Sequence, residues 1–306
     1  MKSVTQSLQY NAPLAHYTTF QLGGPCKALI TAGSPSSAEI IVRHFIKEKQ
    51  EYLIIGRGSN LLVSDQGVDV FVVRFLHDDL QLQHDGHILE VSAGSFLDDV
   101  VAYSVRQGLD GLVSLSGIPG TLGGAIVGNA GAFGQQISDR VVSVRVLTGT
   151  GAVQEVFADQ IGFRYRYSAF KEKHDMILTV KLFLSSGDTK ALAQEREKIL
   201  QWRQDKHPSY HEMPCAGSFF RNIESPAGRG KRQSAGRLLE QVQARSMRCG
   251  GARVYDKHAN IIIKCDGCTA ADVFALSRMM ADKVKHKFDV ELVKEVCLIG
   301  SFPPSK

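Results

Sequence analysis

Along Ser37 to Gln50, Ile41 and Phe45, flanked by Val42 and Ile46, recur at four-residue spacing among polar residues. That is the period of a helix with one buried face. The run Tyr52 to Ile55 is short and apolar throughout, as in a buried strand. Further β-rich runs at Val70 to Phe75, Ile88 to Val91, Val142 to Leu147, Val153 to Phe157 and Met176 to Leu184 are separated by Gly and Asp turns, and Phe96 to Gln107 reads as a helix. Thr189 to Gln204 is rich in strong helix formers and must stop before Lys206-His207-Pro208, because the residue preceding a proline avoids the α region. This stop is the candidate domain boundary. Beyond it the pattern predicts strands at Gly217 to Arg221, Ala259 to Lys264 and Val290 to Ile299, and helices at Ala235 to Gln243 and Ala270 to Lys287, a compact α+β unit. No repeat of about 20 to 50 residues interrupts this order.

At 306 residues the chain suits two or more domains. With 43% hydrophobic and 22% charged residues it has core enough to fold, so disorder is excluded as its working state. Met1 to Tyr10 lacks the basic start and apolar run of a signal peptide, and no stretch reaches the roughly 20 apolar residues of a membrane span, so a cytoplasmic protein without a membrane partner is expected. Six scattered cysteines make no disulfide framework, and Cys265-Asp266-Gly267-Cys268 lacks the second pair of a zinc site, so it reads as a turn and no metal is expected. The net charge of +5 suits anionic small ligands; a nucleic-acid partner would require a basic face with aromatic platforms. Nothing in the pattern sets an oligomeric state.

Three glycine-rich segments stand out. Gly56-Arg57-Gly58-Ser59-Asn60-Leu61 follows a predicted strand, and its missing side chains let backbone N–H groups close around a phosphate. It is neither a dinucleotide fingerprint, since Leu61 replaces the last glycine, nor a Walker loop. The segment Ser114 to Ala132 contains Gly117, Ile118, Pro119, Gly120, Thr121, Gly123, Gly124, Ala125, Gly128, Asn129, Ala130 and Gly131. That is more glycine than a helix or strand interior tolerates cheaply, yet it carries Ile, Leu and Val, as buried backbone against a large flat ligand would. Thr18 to Pro25 adds a third small-residue segment.

Among polar candidates, Arg166 lies in the alternating run Phe163 to Lys171, where a guanidinium fork could bind a carboxylate; on pattern alone an exposed, salt-bridged arginine is the commoner explanation. Ser218 sits between Gly217 and the aromatics Phe219 and Phe220, a water-poor setting for a proton donor, although serine there more often satisfies backbone groups. Glu295 falls in an apolar run, where a carboxylate is costly unless paired or functional, and it could equally face solvent.

Taken in order, Thr19-Phe20-x-x-Gly23-Gly24, Gly56-x-Gly58-Ser59-Asn60-Leu61, Gly117-Ile118-Pro119-Gly120-Thr121-x-Gly123-Gly124-Ala125, Gly128-Asn129-Ala130-Gly131-Ala132, Tyr165-Arg166-x-Ser168-x-Phe170, Ala216-Gly217-Ser218-Phe219-Phe220, Gly250-Gly251-Ala252, Lys257-His258-Ala259-Asn260 and Glu295-Val296 resemble the UDP-N-acetylenolpyruvoylglucosamine reductases, also called UDP-N-acetylmuramate dehydrogenases. The likeness runs from about His16 to Gly300.

This resemblance implies an α+β chain with an FAD-binding domain of the vanillyl-alcohol-oxidase type over 1–204, in two subdomains of about 1–65 and 66–204, and a smaller α+β substrate domain over 205–306. It implies that NADPH reduces bound FAD and that the flavin reduces the enolpyruvyl group of a UDP-sugar to give UDP-N-acetylmuramate, in peptidoglycan precursor synthesis. Flavin contacts would come from residues 56–61 and 117–131; Arg166, Ser218 and Glu295 would be catalytic, with Ser218 the proton donor; Tyr165, Lys206, Asn222, His258 and Asn260 would meet substrate. Only some 35 residues separate Lys171 from Lys206, too few for the inserted tyrosine-bearing loop of one subtype, so the chain resembles the loopless one. Two departures concern the substrate-domain surface: Ile223 to Gln233 is unusually basic, around Arg229 to Arg232, and Arg245-Ser246-Met247-Arg248 replaces a more apolar stretch. A related FAD-dependent oxidoreductase with a different small substrate is the alternative, since the glycine segments alone allow it.

Overall fold

The computed structural model describes residues 8–77, 80, 82–224 and 232–302. By contacts the chain divides into two compact units, and it passes from one to the other more than once. The first comprises the residues through Tyr10 with Lys27–Arg57 and Val70–Arg203; the second comprises Asn11–Cys26, Gly58–Asp69 and Gln204–Lys306.

Two larger sheets carry most of the first unit. A four-stranded sheet runs in the order Leu8–Tyr10, Cys26–Ala32, Val68–Phe75, Tyr52–Ile55, the last two parallel. A five-stranded antiparallel sheet runs Val153–Phe157, Val141–Leu147, Met176–Phe183, Ile88–Ser92, Leu82–Asp85. Helices α1 (Pro35–Lys47), α2 (Leu97–Arg106), α3 (Leu122–Gly128) and α4 (Thr189–Lys206) complete the set. The predicted amphipathic stripe holds in α1: Ile41, Val42 and Phe45 are buried, and Ser34 caps the helix by accepting the Ser37 N–H. Strand residues such as Val144, Val146, Leu178, Val180 and Leu182 are buried in one core with Leu97, Val100, Leu122 and Ile126 from the helices. Parallel pairing of Tyr52–Ile55 with Val68–Phe75 follows from the crossover chain between them.

The second unit centres on a three-stranded sheet, Arg248–Cys249, Ala252–Tyr255 and His258–Lys264, packed by α5 (Ala235–Gln241) and α6 (Ala270–Phe288). A two-stranded parallel ladder joins Leu61–Val63 to Cys297–Ile299. The α6 N-terminus is satisfied twice over: Thr269 caps the Asp272 N–H, and Asp65 accepts the Ala270 and Ala271 N–H groups at 2.8 and 2.9 Å. Cys265 to Cys268 is indeed a turn, closed by the Cys268 N–H on the Cys265 carbonyl, and all six cysteines are free thiols.

Three expectations need correction. The glycine-rich run, expected to hold more glycine than a helix tolerates cheaply, does contain a helix, because residues 122–128 form α3. Thr121 caps it, Leu122, Ala125 and Ile126 bury one face, and Gly123 is what lets the helix approach Ala93, whose Cβ would lie 3.1 Å from an added side chain. Gly217 to Arg221 forms only isolated bridges, Ser218 with Ile261 and Phe220 with Lys294, and of Val290 to Ile299 only Cys297–Ile299 is a strand. In both cases apolar content reports burial, which a well-packed loop shares with a strand. The basic residues Arg229 and Lys231 lie outside the described residues.

Candidate active site

In the first unit Gly56 meets the segment that opens α3. A side chain on Gly56 would be driven into the Thr121 side chain, and the Arg57 guanidinium lies 4.7 Å over the Phe96 ring. Phe96 bridges Thr121, the Leu97 N–H donates to Gly120, and the Leu122 N–H donates to Ser95. Two hydroxyls here, Ser95 and Ser114, are buried with no hydrogen-bond partner among the described residues. An unmet buried hydroxyl costs about 1–3 kcal/mol. These orphans, together with turns that admit no Cβ at Gly56, suit a bound group rich in acceptors, as the diphosphate and ring edge of FAD are. Sequence motifs miss Ser95 because it stands outside every glycine run, and its burial is the only signal.

At the far end of the same segment Asn129 ends α3 in the left-handed region, φ 44°. Its amide donates to the Arg164 carbonyl at 2.9 Å and its oxygen accepts the Ser138 N–H, while Ser168 donates to Val127. These bonds hold the Arg164 to Tyr167 turn, in which Arg166 takes φ 54°. A positive φ is uncommon for a non-glycine residue and is sustained only where the surroundings impose it. The Arg166 Nη2 donates to the Gly131 carbonyl at 2.7 Å, its guanidinium lies 5.2 Å over the Tyr165 ring, and Lys171 Nζ donates to its carbonyl. The expected flavin segment and Arg166 are thus one hydrogen-bonded structure.

In the second unit Ser218 and Glu295 are adjacent. The Glu295 N–H donates to the Phe219 carbonyl at 2.8 Å, and Ser218 bridges Ile261. Gly217, at φ 71°, turns the chain into this segment. Phe219 and Phe220 are 1% exposed and anchor it from below. Asn260 orients it from the side: its Oδ1 accepts the Phe220 N–H at 3.0 Å and its Nδ2 donates to the Phe220 carbonyl at 2.8 Å. Thr19 adds a tether, donating to Cys215 at 2.7 Å. On the far flank Asn60 donates to the Glu295 carbonyl and accepts the Cys297 N–H, so Asn60 and Leu61, expected among flavin contacts, fix the backbone around Glu295.

The other expected substrate residues are in the second unit as well, apart from Tyr165. His258 accepts the Asn260 N–H through Nδ1, its ring centroid lies 5.6 Å from that of His207, and burial pushes its pKa below the ordinary value, with Glu240 opposing and Arg245 reinforcing. Accepting that N–H leaves Nδ1 without a proton, so the neutral ring carries its proton on Nε2. Asn222 is exposed and accepts the Ala235 N–H, and Lys206 closes α4.

The first unit's glycine turns and orphaned hydroxyls fit a flavoprotein of the FAD-binding class, and residues 26–156 match the family described as FAD binding domain. Residues 207–299 match the family described as UDP-N-acetylenolpyruvoylglucosamine reductase, C-terminal domain. The UDP-N-acetylenolpyruvoylglucosamine reductase of Carboxydothermus hydrogenoformans is 34% identical over 98% of this chain and 96% of its own. UDP-N-acetylenolpyruvoylglucosamine reductase 1 of Bacillus cereus is 36% identical over 95% of this chain and 94% of its own. The crystal structure of the Thermus caldophilus reductase superposes with a TM-score of 0.79 at 28% identity, covering 97% of this chain and all of that one. The chain belongs to the UDP-N-acetylenolpyruvoylglucosamine reductase family.

Proposed function

We propose that the chain works as its family defines: an FAD-dependent oxidoreductase that reduces UDP-N-acetylglucosamine enolpyruvate to UDP-N-acetylmuramate with NADPH, in peptidoglycan precursor synthesis. The observation that carries this reading is likeness to named reductases over nearly the whole length of both chains. Flavin is held by residues 1–204, through 56–61 and 117–131 with the hydroxyls of Ser95 and Ser114, and the UDP-sugar by residues 205–306. When bound, FAD would supply hydride chemistry between NADPH and C3 of the enolpyruvyl group.

The chain's own side chains handle charge and protons. Hydride addition at C3 leaves negative charge at C2 and on the adjoining carboxylate. Arg166, preset by its strained turn, offers a planar fork to that carboxylate, and Glu295 in its protonated form donates a hydrogen bond to the developing charge. Ser218 donates its proton to C2 and is replenished from solvent, completing the addition of two hydrogens across the double bond. A hydroxyl is a weak acid, but a carbanionic C2 is a far stronger base, so fixed geometry suffices. Asn260 supplies that geometry by holding Phe220. Lys206, Asn222 and the Nε2 proton of His258 serve the diphosphate and sugar, and Tyr165 supports Arg166 from below. NADPH and nucleotide sugars place the reaction in the cytoplasm.

The test is NADPH oxidation by the purified yellow protein with and without the enolpyruvyl UDP-sugar. Substrate-dependent turnover is expected; NADPH oxidation indifferent to that sugar would favour a related FAD oxidoreductase with another small substrate. In Ser218→Ala, flavin reduction by NADPH should stay near wild type while reoxidation by substrate slows by about 100-fold or more, the size of a lost general acid. Equal slowing of both half-reactions would make Ser218 a structural residue.

A further inference from the structure

One peptide unit of the flavin segment is gripped by opposite charges. Leu115 to Ile118 form a β-turn closed by the Ile118 N–H on the Leu115 carbonyl at 3.1 Å. Ser116 at φ −51°, ψ 133° and Gly117 at φ 72° make it type II. Type II differs from type I by a flip of the central peptide, here the bond between Ser116 and Gly117. The carbonyl of that unit accepts from Arg203 Nε at 2.6 Å, and its N–H donates to Asp98 Oδ1 at 2.7 Å. Asp98 is held in turn by the Arg196 fork, at 2.6 and 2.8 Å. A flipped unit would aim its N–H at a guanidinium and its carbonyl at a carboxylate. Both charges oppose the flip.

We propose that Asp98, Arg196 and Arg203 are positioning residues for the flavin, locking the Ser116 to Gly117 peptide in the type II form from which residues 117–121 meet the cofactor. The inference rests on the reading of that segment as flavin-binding. Three independent features converge on the same bond. Ser116 is fully buried and its hydroxyl donates to Val113, which leaves the peptide as the part of the turn able to rotate. Gly117 is required twice, by its positive φ and by Arg203 Cδ, which would lie 2.9 Å from a Cβ. Arg203 also stands near Arg166: burial lowers its pKa, Asp98 opposes that, and Arg166 reinforces it. Two guanidiniums about one carboxylate leave a surplus of positive charge beside the turn, which suits an anionic cofactor.

The test compares full-length wild type with Asp98→Ala, Arg203→Gln and Arg203→Lys, measuring FAD dissociation constants by flavin fluorescence after flavin removal, the visible spectrum of the refilled protein, and its melting temperature. If the competent turn falls to about a tenth of the population, FAD affinity falls about 10-fold. Asp98→Ala and Arg203→Gln should lose that much and shift the flavin absorption band even at saturation. Arg203→Lys, which keeps a charged donor for the Ser116 carbonyl, should stay within about threefold of wild type. The Arg203 pair decides the matter if Asp98→Ala does not fold. FAD affinities within about threefold of wild type in Arg203→Gln, or Lys no better than Gln, would overturn the proposal. A wild-type chain that takes up no FAD would instead overturn the flavin reading, and the proposal with it.

Discussion

Asn260→Ala separates the scaffold of Ser218, the proposed proton donor, from the flavin half of the enzyme. The side chain is 3% exposed and bonds both polar groups of the Phe220 backbone, at 3.0 and 2.8 Å. Those groups have no alternative on the other side, because the neighbouring bonds run from Arg221 to Val293 and from Glu295 to Phe219. Alanine therefore leaves a buried N–H and a buried carbonyl unmet. At about 1–3 kcal/mol each, softened by any water that enters, the loss comes to about 2–4 kcal/mol. A protein with about 5–15 kcal/mol of stability survives that loss folded. Urea unfolding of the holoprotein measures it, and stopped-flow spectroscopy of the two half-reactions follows its consequence. Flavin reduction by NADPH should stay within about twofold of wild type, while reoxidation by the UDP-sugar should slow by about 10-fold or more, since Ser218 is two residues from the released backbone. A destabilisation under about 1 kcal/mol would refute the bond accounting. Equal slowing of both half-reactions would refute the assignment of Asn260 to Ser218's geometry.

Other consequences are open to simpler measurements. Gly56→Ala should displace Thr121 and uncap α3, lowering stability by about 1–3 kcal/mol and flavin content with it; adding Thr121→Ala should cost far less than its single effect, and strict additivity in a thermal double-mutant cycle would exclude the clash. The Cys268 thiol is pushed up to about 12, first by burial and then by the Asp272 carboxylate, so iodoacetamide at pH 8 should label exposed Cys297 first and Cys268 only on unfolding, which peptide mass spectrometry reads directly. Asp98 is opposed by burial, but the bonds from Arg196 and the Gly117 N–H and the charges of Arg196 and Arg203 hold its carboxyl below the ordinary 3.8. A depressed carboxyl contributes stability above its unfolded pKa and loses it as pH falls through the folded one, so this share of stability should disappear only below about pH 4. Flavin release complete by pH 6 would contradict it.

Much of the fold was legible because burial and period coincide. In α1 the apolar residues 41, 42 and 45 lie on one face, and the element spans Pro35–Lys47 where the pattern gave Ser37 to Gln50. Tyr52–Ile55 and Val153–Phe157 are found as read, since Gly and Asp punctuate the strands on either side. The misses have a common cause. Leu61–Val63 is three residues long and is stabilised by Cys297–Ile299, a partner more than 230 residues away, so nothing local marks it as a strand. Cys26–Ala32 alternates too weakly in burial to announce itself, and one of its two neighbours in the sheet, Val68–Phe75, comes from beyond α1 and two further strands.

The site was legible in a different way, and the physical reason lies in where local rules are broken. Three glycines in α3, a left-handed Asn129 and a left-handed Arg166 all contradict local propensity, and such conflicts persist only where surrounding bonds over-determine them. Motif positions therefore include Arg166, whose left-handed backbone the surrounding bonds sustain, and Gly217, whose positive φ turns the chain beside Ser218. Sequence order could not separate the residues that touch ligand from those that hold them. Asn260 and Asn60 stand within motifs, and in the fold their amides bond the backbone beside Ser218 and Glu295. Asp98 and Arg203 stand outside every motif, yet they grip the turn that opens the flavin segment. A side chain whose partner is a peptide bond leaves no spacing to read, since the partner can be any residue; only the fold brings the two together.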